Sequence, residues 1–167
     1  MRRIRIFLIL CVIATGFCFG QLPHTFTQYT SEDGLSQNTI MSILQDDKGV
    51  MWFATWDGLY KFDGYTFNNY KAHPGDSIGL SNNRLDNIKE DRYGYIWVQS
   101  YNHQVYRFNP RLERFQAIPY DNYLSLDMYV LPCGDVWIIT VQNELIHIST
   151  PVSYTHLRAH ETSAHLV

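Results

Sequence analysis

Cysteine is scarce in this chain: three residues in 167, at positions 11, 18 and 133. Cys11 and Cys18 fall inside the one long apolar run, so the body keeps a single thiol and no intrachain disulfide can staple it. Basic charge is short as well. Thirteen Lys and Arg stand against sixteen Asp and Glu, a formal charge of −3. Without the cationic excess that displaces counterions from phosphates, nucleic acid is not an expected partner. The longest apolar run, Ile6 to Phe19, has 14 residues, fewer than the roughly 20 that a helical span needs. The body also lacks Gly-x-Ser-x-Gly, a phosphate-binding glycine loop, a zinc-binding His pair and a Cys-His arrangement. Asp63, Asp76 and Asp121 show no pairing that would mark a general acid and base. No catalytic residue, metal site or cofactor is expected.

Both ends read as foreign to the folded body. Met1-Arg2-Arg3-Ile4-Arg5, the apolar run and Gly20 have the layout of a secretory signal over residues 1–20, with a permanent N-terminal anchor as the alternative. Lipidation is disfavoured because Cys11 follows Leu10 and Cys18 follows the bulky Phe17. At the other end, His156-x3-His160-x4-His165 offers a metal-like spacing, but no further ligand arrives at a useful distance. Residues 152–162 instead resemble the in-frame translation of a transposon-type sequencing adapter. Residues 152–167 are then a non-native tail, and the gene is expected to continue. Setting the two ends aside removes Arg2, Arg3, Arg5, Arg158 and Glu161. Nine basic and fifteen acidic residues remain, a charge of −6. Cys133, the surviving thiol, is expected to be a buried small apolar group, with a spare thiol as the other possibility.

What is present is a repeat. The first copy runs Leu35-Ser36-Gln37-Asn38-Thr39-Ile40, then Asp46-Asp47-Lys48-Gly49-Val50-Met51-Trp52, then Leu59-Tyr60-Lys61-Phe62-Asp63-Gly64. The second runs Leu80-Ser81-Asn82-Asn83-Arg84-Leu85, then Asp91-Arg92-Tyr93-Gly94-Tyr95-Ile96-Trp97, then Val105-Tyr106-Arg107-Phe108. A worn third copy keeps Gly134-Asp135-Val136-Trp137 and Leu145-Ile146-His147-Ile148. Gly49, Gly94 and Gly134 are 45 and 40 residues apart, and Trp52, Trp97 and Trp137 keep those spacings.

Runs such as Val50 to Thr55 and Ile96 to Ser100 are rich in aromatic and branched residues, and glycine falls where tight hairpins need positive φ. The first copy predicts strands over 39–45, 50–55, 59–62 and 66–70. Four short antiparallel strands every 40 to 45 residues are the pattern of a propeller blade. The expected fold is all-β: a partial β-propeller of four-stranded antiparallel blades, about two and a half to three in number, with the ring not closed. The blades span about 36–70, 81–117 and 124–149 within an incomplete propeller over 21–151. Phe26-Thr27-Gln28-Tyr29 mirrors Phe67-Asn68-Asn69-Tyr70, so residues 25–30 read as the outer strand of a closing blade. The three tryptophans are expected to pack between blades, and Asp46, Asp91 and Asp135 to stabilise turns.

These segments resemble the two-component regulator propeller repeat of periplasmic sensors in Bacteroides-type hybrid two-component systems. The resemblance covers about Phe26 to Ile148. The third copy departs from it, with Leu131-Pro132-Cys133 in place of the acidic turn. The resemblance implies an oligosaccharide ligand and a homodimeric parent anchored in the inner membrane downstream. It also implies a second propeller, an immunoglobulin-like domain, kinase and receiver domains and a DNA-binding output domain. The segment itself would then be no enzyme. Binding is expected on loops at one end of the ring. The turn after the Trp strand carries Trp56-Asp57 in the first copy and Tyr101-Asn102 in the second, an aromatic that can stack on a pyranose beside a group that can take its hydroxyls. A lesser candidate is the connection His73-Pro74-Gly75-Asp76-Ser77. Two rivals are a fragment of a secreted propeller polysaccharide lyase or glycosidase, and a purely structural or protein-interaction propeller.

Overall fold

The computed structural model describes residues 25–73, 75, 79–118 and 124–149. The expected signal over residues 1–20, the expected tail over 152–167, Asp121 and most of the 73–77 connection lie outside them. Eleven strands form three antiparallel sheets in chain order. The first holds β1 (Ile40–Gln45), β2 (Met51–Thr55), β3 (Gly58–Phe62) and β4 (Phe67–Tyr70). The second holds β5 (Leu85–Glu90), β6 (Ile96–Ser100), β7 (Val105–Asn109) and β8 (Arg114–Ala117). The third holds β9 (Ser125–Val130), β10 (Val136–Thr140) and β11 (Leu145–Ile148). Each sheet pairs its strands in sequence order, and the inner strands β1, β5 and β9 lie beside one another. The chain is a partial β-propeller.

Every inner strand carries a bulge at the same repeat position, displacing Met41, Asp86 and Leu126 from the ladder. A bulge bends its strand and increases local twist, so three in register give the blades a common curvature near the axis.

The tryptophans pack as the repeat spacing demands. Trp52 (1% exposed) lies between the first and second sheets, edge-on to Phe108 at 5.6 Å. Trp97 (0%) joins Met128, Val136 and Ile138 between the second and third. Each indole therefore faces the following blade. Trp137, with no following blade among the described residues, is only half-buried and stacks on His147 at 4.3 Å. At the opposite open face, Ile43 is 58% exposed.

Residues 25–30 form no strand. Tyr29 nevertheless packs edge-on to Phe62 at 4.9 Å, as Tyr70 packs on Phe108 at 4.8 Å. Phe62 and Phe108 are repeat equivalents, so Tyr29 takes toward the first blade the place that β4 takes toward the second. With no sheet beside it, the segment has no ladder to join.

The third copy has three strands among the described residues, in keeping with an expected two and a half to three blades. Two expectations are corrected in it. Cys133 is exposed, because it sits at the tip of the β9–β10 hairpin, where Lys48 and Tyr93 stand in the other copies. Asp135 is not the counterpart of Asp46 and Asp91; Leu131 is. Asp135 instead lies 3.1 Å from His147 Nε2.

Candidate functional site

The β2–β3, β6–β7 and β10–β11 turns gather at one end of the blades with the connections that enter the inner strands. Backbone bonds fasten them together: Gly58 N–H donates to Asn83 O at 2.8 Å, Tyr101 N–H to Arg84 O at 2.9 Å, and Val141 N–H to Leu124 O at 2.8 Å. Each turn carries a residue of positive φ three positions after its Thr or Ser, namely Gly58, His103 and Asn143, although the first turn is one residue shorter, pairing Thr55 with Gly58 where Ser100 and Thr140 bond Gln104 and Glu144.

Asp57 and Asn102 occupy matching polar clusters. Ser36 Oγ donates to Asp57 Oδ2 at 2.8 Å and shares a short hydrogen bond with the Tyr60 hydroxyl. In the second blade, Ser81 Oγ bonds the Tyr106 hydroxyl at 2.7 Å and accepts from Asn102 Nδ2 at 3.2 Å. Both candidates are thus tied to the Leu-Ser segment of their own repeat. Lys71 Nζ also donates to Asp57 Oδ2 at 2.6 Å. Burial pushes the Asp57 carboxyl up, but hydrogen bonds from Lys71 and Ser36 together with the Lys71 charge hold it below its ordinary range.

Trp56 and Tyr101 come from successive blades and converge. They are 44% and 52% exposed, and between them lies a residue that the repeat comparison passed over. The Arg84 guanidinium carbon is 4.4 Å from the Trp56 ring centroid and 3.8 Å from that of Tyr101, within the range for cation–π attraction at both. The signal for Arg84 was a charge at a repeat position where the other copies carry Thr39 and Leu124. The third blade has Val141 in place of the ring. The structure therefore joins Trp56 to Tyr101 through Arg84, and sets Asp57 and Asn102 aside on their serine–tyrosine pairs.

The opposite end is made of β-hairpin tips. Asp47 N–H donates to Glu90 Oε2 at 2.9 Å across the first two blades, and Arg92 Nη1 donates to the Cys133 carbonyl at 3.2 Å across the next two. A cavity of about 310 Å³ lies there among Lys48, Glu90, Arg92, Tyr95 and Arg111. Burial, and the Asp47, Asp46 and Asp91 charges, push the Glu90 carboxyl up against the opposing Asp47 hydrogen bond. Among the described residues, no group of three or more His, Cys, Asp or Glu is placed to hold a metal ion.

Residues 34–57 match the two component regulator propeller family. That segment carries one copy of the two-component regulator propeller repeat. Over 56 residues it is 48% identical to Histidine kinase P4 of Formosa agariphila, a stretch covering 34% of this chain and 4% of the relative. Among solved structures it is similar to the extracellular domain assigned to the hybrid two component system BT3049 of B. thetaiotaomicron, with a TM-score of 0.64, 24% identity, and coverage of 75% of this chain and 19% of the other. The virginiamycin B lyase of Staphylococcus aureus also superposes, at a TM-score of 0.53 and 16% identity over 69% of this chain and 40% of the lyase. The chain therefore spans a small part of each. At these identities the structural likenesses establish the propeller fold, which a sensor and a lyase share.

Proposed function

We propose that this chain is a ligand-sensing segment of the exported propeller of a hybrid two-component sensor, and that its ligand is an oligosaccharide. The regulator repeat and the histidine-kinase relative support the sensor reading. Export is supported by the basic-then-apolar start of the sequence and by relatives described as extracellular domains. Among the described residues no helix is long and apolar enough to cross a membrane. The segment binds and does not catalyse; kinase and DNA-binding output belong to a downstream part of a homodimeric, membrane-anchored parent. Signalling then requires that ligand favour one arrangement of the dimer over another, since only differential affinity shifts such an equilibrium.

The observation that carries the ligand reading is the convergence of Trp56 and Tyr101 on the seam between two blades, at the end where the connecting turns gather. Exposed aromatic faces beside polar groups suit the apolar faces of sugar rings. The test is a thermal-shift and calorimetric screen of glycan oligomers against the chain and its Trp56→Ala/Tyr101→Ala double variant. Saturable binding that the double variant loses, with its circular dichroism unchanged, supports the reading. Unchanged affinity in the double variant removes the two rings from the site.

A further inference from the structure

Arg84 occupies an unusual position for a charged residue of a repeat. Its guanidinium offers five N–H donors, and no side-chain hydrogen bond to a protein acceptor forms among the described residues. Nε is buried without a partner, and the nearest carboxylate oxygen, Asp86 Oδ1, stands 4.0 Å away. The side chain as a whole is nevertheless 35% exposed, and Nη1 and Nη2 are not among its buried atoms that lack a partner. Asp57, an acid of the neighbouring turn, is held by Lys71.

The arrangement is not a requirement of the blade. Thr39 and Leu124 hold the same repeat position without charge, and the third blade turns at Val141 without a ring. Trp56, Arg84 and Tyr101 come together at one seam alone among the described blades. There the two rings hold the guanidinium plane, which lowers the ordering cost of a planar two-point contact.

We propose that Arg84, clamped by Trp56 and Tyr101, is the anion-recognising group of a saccharide site, and that it receives the carboxylate of a uronic acid unit in a paired N–H···O contact. This deepens the oligosaccharide reading above and rests on it. Guanidinium and carboxylate match as parallel forks, which lysine cannot reproduce.

The experiment is isothermal titration calorimetry on the full chain with three sets of probes: galacturonate, glucuronate and mannuronate trimers, the corresponding neutral hexose trimers, and a sulfated neutral trisaccharide. The expected result is binding of a uronate trimer that weakens as NaCl rises, with neutral trimers at least about tenfold weaker. Arg84→Met, which keeps the aliphatic stem between the rings, loses uronate binding by about tenfold or more, and Arg84→Lys falls between the two. Comparing uronate with neutral trimers on the unaltered chain needs no variant to fold. Neutral trimers binding as tightly as uronates, or uronate affinity unchanged in Arg84→Met, overturns the role of Arg84 and leaves the oligosaccharide reading standing. Preference for the sulfated probe overturns the carboxylate assignment. Failure of all three sets overturns both readings.

Discussion

Asp91 and Trp97, six residues apart, close the second blade's hairpin from the inside. Asp91 Oδ2 accepts from the indole Nε1 at 2.8 Å while Oδ1 accepts from Tyr93 N–H at 2.9 Å and Tyr95 N–H at 3.1 Å. Asp46 and Trp52 repeat the pattern in the first blade, with the indole bond at 2.9 Å. One carboxylate thus shapes the turn and satisfies the N–H of an indole packed between blades.

Replacing Asp91 with Asn turns one acceptor into a donor facing the indole N–H. Asp91 is 2% exposed, so the unmet N–H has no water to reach. Asp91→Asn is expected to destabilise the chain by about 2 to 3 kcal/mol in urea unfolding, and Asp46→Asn, at a half-exposed clip, by about 1 to 2 kcal/mol. Equal losses at the two sites would show that burial does not set the cost.

The third blade lacks this clip because Leu131 stands where the acid should be. Leu131→Asp is expected to stabilise by about 1 kcal/mol, by giving the Trp137 indole an acceptor and the turn its backbone bonds. Fluorescence-monitored unfolding measures the gain; a loss would mean that the Asp135 and His147 arrangement excludes the clip.

Glu90 and Asp57 carry opposite pH signs. Glu90 is pushed up, so the folded chain holds that proton more tightly than the unfolded one, and stability is lost as pH rises from the ordinary carboxylate value through the raised one. Glu90→Gln keeps an acceptor for Asp47 N–H and is expected to raise stability at pH 7 but not at pH 3. Asp57 is held down, so its contribution is present above the ordinary value and disappears as pH falls through the lowered one. Lys71→Met should reduce that acid-side loss. Urea midpoints across pH 3 to 7 check both signs.

Gly58 and Gly64 both have positive φ, +110° and +99°, but their surroundings differ. A Cβ on Gly58 would lie 2.5 Å from the Tyr70 carbonyl oxygen, whereas one on Gly64 would meet nothing within 4 Å. Gly64→Ala is expected to cost about 1 to 2 kcal/mol from backbone conformation alone. Gly58→Ala should cost at least about 1 kcal/mol more, because backbone must move. Similar melting losses for the two would deny the steric difference.

Strand positions, blade number and the burial of Trp52 and Trp97 were legible in the sequence, because alternation, turn glycines and a 40 to 45 residue period are local properties that each copy repeats. Observed strands begin or end within a residue of the spans expected for the first copy. Asp135 was expected to stabilise its turn, but the position of Asp46 and Asp91 is held by Leu131, three residues before the turn glycine, and Asp135 lies 3.1 Å from His147 Nε2 instead.

The sequence by itself determined that this chain builds antiparallel blades and where their turns fall. Tertiary structure alone decided what the turn residues do. Trp56, Arg84 and Tyr101 are separated by 28 and 17 positions, and no local pattern links them. They meet because two blades pack side by side, so that a turn of the first blade, the entry to the second and a turn of the second share one seam. Folding within each repeat ties Asp57 to Ser36 and Asn102 to Ser81, and with no following blade among the described residues Trp137 keeps an uncovered face. Such contacts depend on the distance between elements in space, which the spacing of residues along a chain does not encode.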